Sequence, residues 1–133
     1  MNTFFILLSM LFMHVVADYN LQGILADMKC KKWWEDNPSY SSFYEVDFIS
    51  ALIMHSICWT FLIMLPIAIF ELFKIEIAFC VLFVVNIAVH AIVDHLKANK
   101  KKLNLFNDQF IHAIQIFITW SVFFLMNGGG LNF

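Results

Sequence analysis

Four long apolar stretches constrain this chain more than any other feature of its sequence. They lie at 3–23, 47–70, 75–97 and 108–126, and roughly 20 helical residues suffice to cross the hydrocarbon core of a bilayer. A helix of a soluble bundle keeps a polar face along its length, whereas these stretches are apolar almost all round. Hydrophobic residues make up 62% of the chain, against roughly 45–50% in soluble domains. The sequence predicts an all-α fold, a single integral membrane domain over 1–133 with four transmembrane helices.

The connections between the stretches predict the topology. The first, near 24–46, carries lysines and the adjacent Trp33 and Trp34, a pairing that suits the headgroup layer. The second, near 71–76, is short and makes helices two and three antiparallel neighbours. Lysines concentrate in the first and third connections, so the positive-inside rule places both in the cytoplasm and both termini outside. The chain starts without a basic segment typical of a signal peptide, so we expect the first helix to be a permanent span.

A histidine and an aspartate lie four residues apart at three places. The three pairs are His14 with Asp18, His90 with Asp94 and, in reversed order, Asp108 with His112. A spacing of four puts both side chains on one face of an α-helix, one turn apart. Ionisable groups are costly inside a membrane and usually mark a functional centre. The pairs therefore predict a polar His/Asp centre within the bundle.

Topology predicts that the three pairs meet. In helices one and three the aspartate follows the histidine, so it lies nearer the predicted cytoplasmic end. Helix four runs in the opposite direction and carries its pair reversed, so its aspartate is again the shallower residue. His55 falls about eight residues into helix two, at the deeper level. We expect four histidines in one layer and three aspartates in the layer above.

Imidazole and carboxylate groups together suit zinc, manganese or iron. The candidate metal ligands are His14, Asp18, His55, His90, Asp94, Asp108 and His112. They exceed one tetrahedral shell, so we expect one or two divalent ions, with zinc as the first choice. Gln22 and Gln109 are expected to orient ligands or water, and Lys97 to balance charge or meet an anionic group. His95 is offset by about 100° from its neighbour Asp94 and is expected outside the site.

The pairs and their order along the chain resemble a known family. The matching stretches are His14-Val-Val-Ala-Asp18-Tyr19-Asn20-Leu21-Gln22, His55, His90-Ala-Ile-Val-Asp94-His-Leu-Lys97 and Asp108-Gln109-Phe-Ile-His112. They resemble the domain-of-unknown-function family 3307, small integral membrane proteins of bacteria and phages, and the resemblance covers essentially the whole chain. It implies a bacterial inner-membrane location. The family tends to have Phe at the position of Tyr19, and it commonly has a second histidine near Cys58 and Trp59.

The predicted function is a membrane-embedded, metal-dependent hydrolase of a lipid-linked or membrane-associated substrate. The metal would activate a water molecule, and Asp18, Asp94 or Asp108 would be the catalytic general base. A weaker similarity of architecture to small membrane-bound metal-dependent hydrolases points the same way. A non-enzymatic phage or bacterial membrane protein with a structural metal or a hydrogen-bonded core is one alternative, and a proton or metal-ion conduit is another.

The expected partners follow from composition. The lipid bilayer is the first expected partner. A second copy of the chain is a possible partner, because the outer faces of the helices are rich in phenylalanine. The formal net charge of −2 gives no indication of nucleic-acid binding.

Overall fold

The computed structural model describes residues 3–37, 39 and 44–126, and over these residues it is helical without strands. The helices are α1 (Thr3–Val15), α2 (Leu25–Met28), α3 (Lys31–Glu35), α4 (Asp47–Phe70), α5 (Ile77–Ala98) and α6 (Leu105–Met126). A π-helical turn, Val16–Asn20, continues α1. Within the described residues, α1 with this turn, α4, α5 and α6 are each long and apolar enough to cross a bilayer. The predicted all-α bundle of four such helices is confirmed.

The four long helices form a closed ring. In chain order, α1 packs against α4, α4 against α5 and α5 against α6, and α6 returns to α1. The indole N–H of Trp120 in α6 donates a hydrogen bond of 2.9 Å to the carbonyl oxygen of Thr3 in α1, which closes the ring. Short α2 and α3 lie in the first connection, at the end of the bundle where α5 ends and α6 begins.

Polar and apolar side chains are distributed as a bilayer requires. Large apolar side chains such as Phe12 and Val84 point outward and are 64% and 65% exposed, whereas His90 and Asp108 are fully buried. A soluble protein normally shows the opposite arrangement. Away from the polar end, the interior is filled by a cluster that includes Ile63, Ile67, Trp120 and Phe123. The bundle therefore has a polar half and an apolar half.

Three helices differ in their bounds from the prediction, and the differences in α5, which runs over Ile77–Ala98 instead of 75–97, are only one or two residues. The first helix was predicted to remain regular to residue 23, but the N–H of Leu21 bonds the carbonyl oxygen of Val16 at 3.0 Å and makes a π-helical turn. The last helix begins at Leu105 rather than at residue 108. The side-chain oxygen of Asn104 accepts a 2.8 Å hydrogen bond from the N–H of Asn107, and such a cap starts a helix one residue later.

Candidate metal centre

The seven candidate ligands lie at the polar end of the bundle. Helix α1 and its π-helical turn carry His14 and Asp18, α4 carries His55, and the remaining four lie on α5 and α6. Every one of the seven side chains is at least nine-tenths buried. The histidine and aspartate of each pair point into the bundle, as the spacing of four predicted, because both lie on the face of their helix that is directed to the interior of the ring.

Asp94 is the point where three imidazoles meet. Its Oδ2 atom lies 3.3 Å from Nε2 of His55 and 3.8 Å from Nε2 of His90. Its Oδ1 atom lies 3.4 Å from Nε2 of His112. One carboxylate of α5 therefore contacts histidines of α4, α5 and α6 at once.

His55 and His90 connect this carboxylate to a second one. Their Nε2 atoms are 3.1 Å apart, and Nε2 of His55 is 3.6 Å from Oδ1 of Asp18. Two groups of three residues bring one ligand atom each to within 4.8 Å of one another, namely Asp18, His55 and His90, and His90, Asp94 and His112. His90 belongs to both groups, so it is the central histidine of the cluster.

A divalent metal ion fits the donor atoms of this cluster. Several of the N···O separations, at 3.3 to 3.6 Å, exceed the usual length of an N–H···O hydrogen bond. Ligands placed tetrahedrally at about 2.1 Å from zinc lie about 3.4 Å from one another. Among the described residues, Oδ1 of Asp18, Oδ1 of Asp108 and Nε2 of His112 are buried and find no hydrogen-bond partner. Buried polar atoms normally have a partner. A cation held by either group of three would give a partner to Oδ1 of Asp18 or to Nε2 of His112, whereas Asp108 belongs to neither group.

His14 lies in the cluster but is held differently. Its Nδ1 atom accepts a 2.9 Å hydrogen bond from the indole N–H of Trp59, and it lies 3.5 Å from Oδ2 of Asp18. The same indole stacks on the ring of His90 with centroids 4.0 Å apart. His14 is in neither group of three, and the same is true of Asp108, so these two of the seven candidates lie beside the groups.

Asp108 faces both His112 and the end of the bundle at which α5 ends and α6 begins. Its Oδ1 atom is 3.5 Å from Nε2 of His112, whereas its Oδ2 atom accepts hydrogen bonds from Lys97 at 2.5 Å and from Gln109 at 3.0 Å. The amide of Gln109 also donates to Oδ2 of Asp18 at 3.2 Å. Gln109 therefore links the carboxylates of α1 and α6, the kind of contact that orients a ligand.

Gln22 and His95 occupy contrasting places. The side-chain nitrogen of Gln22 lies 3.0 Å from Nε2 of His55, so Gln22 contacts a candidate ligand. The ring of His95 instead stacks on Phe48 at 6.2 Å between centroids and belongs to neither group of three.

Sequence reasoning missed Lys29, which the structure brings into the site. Its ammonium group lies 2.5 Å from Oδ2 of Asp94, and the residue is only 8% exposed. Asn99 at the end of α5 fixes this part of the chain, because it donates to the carbonyl oxygen of Lys29 at 3.0 Å and accepts the N–H of Lys31 at 2.7 Å. Lys29 lies in an irregular connection, where no periodicity indicates the direction of a side chain.

A cavity of about 160 Å³ lies beside the cluster, at the end of the bundle where α5 ends and α6 begins. Its lining includes Asp18, Gln22, Lys29, Asp94, Lys97 and Gln109. The cavity therefore lies between buried Lys29, partly exposed Lys97 and two of the candidate carboxylates, and it has room for a small polar group beside the cluster.

Comparison of the chain with protein-family models, with curated proteins and with solved structures gave no match. The resemblance to family 3307 therefore stays a prediction, and the functional argument depends on the geometry of the site.

Proposed function

We propose that the protein is a membrane-embedded, metal-dependent hydrolase, and that its substrate is linked to a lipid. The observation that carries the proposal is the buried cluster itself. Carboxylate oxygens and imidazole nitrogens converge in two groups of three that share His90, and each group brings its ligand atoms within 4.8 Å of one another. Oδ1 of Asp18 and Nε2 of His112, one from each group, find no hydrogen-bond partner among the described residues. Buried titratable groups that converge beside a cavity are the usual mark of an active site.

A divalent ion held by these residues would supply Lewis-acid activation of water. His90 would hold it together with His55 and Asp18, or with Asp94 and His112. Zinc is our first choice, with manganese or iron as alternatives. The remaining carboxylates are then the candidate general bases, and the amide of Gln109 would orient Asp18 and Asp108.

The substrate class follows from the depth of the site. The cluster lies near one end of the four candidate spans, and its cavity borders both the bundle interior and the connections. An ester, amide or phosphate bond near a lipid headgroup would reach this level. We further propose that this end faces the cytoplasm of a bacterial inner membrane, with both termini outside.

A conduit for protons or ions is the weaker candidate. The polar cluster is followed along the bundle by a second polar network of Asn86, Gln115 and Thr119, but fully buried Ile63 and Ile67 pack in the half beyond it. Such packing fills the space that a conduit needs.

Metal analysis tests the proposal. Because His90 belongs to both groups of candidate ligands, we expect His90→Ala to weaken metal affinity by about tenfold or more while wild type purified in detergent retains at least one ion per chain. His95→Ala is the matched control, since His95 lies on the same helix outside both groups, and it should retain the metal of the wild type.

Wild type without stoichiometric metal, or a folded His90→Ala variant with the metal content of His95→Ala, would contradict the proposal. A His90→Ala variant that unfolds while the metal-bound wild type hydrolyses none of a panel of lipid esters, amides and phosphates would favour a structural metal instead. Circular dichroism and gel filtration of each variant separate these outcomes.

A further inference from the structure

We infer that Lys29 and Lys97 form a binding subsite for the phosphate group of the substrate, beside the candidate metal centre. The inference rests on the proposed function and narrows its substrate class to molecules that carry a phosphate. It depends on the two ammonium groups, the cavity between them and the charge of the carboxylates that hold them.

The two lysines reach the same cavity from different parts of the fold. Lys29 comes from the connection after α2 and bonds Asp94, whereas Lys97 comes from the last turn of α5 and bonds Asp108, each at 2.5 Å. Both lysines line the cavity of about 160 Å³. A buried lysine such as Lys29, which is 8% exposed, is costly unless it is paired or used for binding.

The charges explain how a site made of salt bridges can accept an anion. Three buried carboxylates, those of Asp18, Asp94 and Asp108, face two ammonium groups. With the histidines neutral, as metal ligands must be, these groups alone carry an excess of negative charge. One divalent cation reverses this sign. With their carboxylates neutralised in this way, both lysines have hydrogen-bonding capacity for a new anion, since an ammonium group has three donors.

The type of donor favours phosphate over carboxylate. Arginine offers a planar fork that matches a carboxylate, whereas lysine binds phosphate as a point charge. Every basic residue of the chain is a lysine. The amides of Gln22 and Gln109 also line the cavity, and they add donors in other directions, as a tetrahedral group with several oxygens requires.

The experiment measures phosphate binding by the full-length protein in a maltoside detergent that itself contains no phosphate. The protein is loaded with zinc, freed of excess metal and titrated with radiolabelled inorganic phosphate or with a short-chain phosphatidic acid. The variants are Lys29→Gln and Lys97→Gln, and the control is Lys74→Gln, which removes an exposed lysine between α4 and α5. Metal content is measured on the same samples.

We expect each of Lys29→Gln and Lys97→Gln to weaken phosphate binding by about tenfold to a hundredfold, the usual effect of losing one charge-assisted hydrogen bond. Lys74→Gln should bind as wild type does. Tighter binding of phosphatidic acid than of inorganic phosphate identifies a lipid headgroup as the source, and equal binding identifies the free anion.

Unchanged binding in a folded Lys97→Gln variant, or no phosphate binding by wild type, overturns the inference. The side chain of Lys97 is 32% exposed, so this variant carries the test if Lys29→Gln, which leaves Asp94 without its cation, fails to fold. The two proposals fail separately. Lysine-dependent phosphate binding by zinc-loaded protein that hydrolyses none of the lipid esters, amides and phosphates supports the subsite and contradicts the hydrolase. Metal uptake and hydrolysis without lysine-dependent binding do the reverse.

Discussion

At the scale of single residues, Trp59 organises two histidines at once. Its N–H donates to Nδ1 of His14, and its face covers the ring of His90. The hydrogen bond occupies the lone pair of that His14 nitrogen, and the stacking fixes the plane of the other ring. One fully buried indole thus helps to determine which imidazole nitrogens remain free for a cation.

We expect Trp59→Phe to lower the free energy of unfolding by about 1–3 kcal/mol, because the ring remains apolar and stacked while the buried His14 acceptor loses its donor. Metal content should be retained, since Trp59 is not a ligand. Thermal unfolding in detergent and metal analysis measure both effects. Trp33→Phe, at a half-exposed position in α3, is the control, and equal stability of the two variants would contradict the assigned hydrogen bond.

The His/Asp pairs could be predicted from the sequence, whereas Lys29 and Trp59 could not. A spacing of four places two side chains on one helix face whatever the tertiary structure, so the sequence alone predicts that His90 and Asp94 face the same way. Lys29 reaches its partner from 65 residues away through an irregular connection. Trp59 reads as an ordinary apolar residue of a membrane helix, and only packing shows where its N–H points.

At the scale of elements, the π-helical turn Val16–Asn20 is the feature that the sequence analysis did not predict. It widens α1 by one residue just where Asp18 enters the cluster, and such turns often occur at functional sites. The regular spacing from His14 to Asp18 to Gln22 suggested an unbroken α-helix. The structure brings the side chains of His14, Asp18 and Gln22 to the site. Gln22, however, lies beyond the end of the π-helical turn, and it contacts His55 from the connection that follows.

Deletion of Tyr19 should convert the π-helical turn into regular α-helix and rotate the chain that follows by about 100°. The contact between Gln22 and His55 would then be lost, and we expect the free energy of unfolding to fall by about 1–3 kcal/mol. Chemical unfolding in mixed micelles measures this change. Tyr19→Ala removes the same exposed side chain without changing the length, and it should stay within about 0.5 kcal/mol of wild type. Equal effects of the two changes would show that the turn has no such role.

At the scale of the whole molecule, the long apolar stretches were sufficient to predict the bundle, because a bilayer demands helices of a narrow range of lengths. Short connections make α4 and α5, and α5 and α6, neighbours in the ring, whereas α1 reaches α4 through the long connection that holds α2 and α3. The start of α6 was misplaced because Asn104 and Asn107 read as a polar loop, although the side chain of Asn104 caps the helix. The resemblance to family 3307 adds an expectation about origin that geometry alone does not test.

Orientation in the membrane can be tested with two exposed lysines at opposite ends of the bundle. In a background in which the native cysteines are replaced by serine, Lys100→Cys reports on the connection between α5 and α6, and Lys74→Cys reports on the connection between α4 and α5. The positive-inside rule predicts that an impermeant maleimide labels Lys74→Cys in intact cells and labels Lys100→Cys only in inverted vesicles. The opposite pattern would reverse the proposed topology.

The ion pair between Lys29 and Asp94 has a consequence for synthesis, because its members enter the membrane at different times. Lys29 precedes α5 in the chain, so it is synthesised before Asp94, the carboxylate with which it pairs. Asp18 must wait for α6 before the amide of Gln109, 91 residues later, can reach it. Since membrane helices insert first and associate afterwards, the last helix completes the polar cluster. A chain that ends before α6 therefore leaves the carboxylate of Asp18 without the amide donor of Gln109.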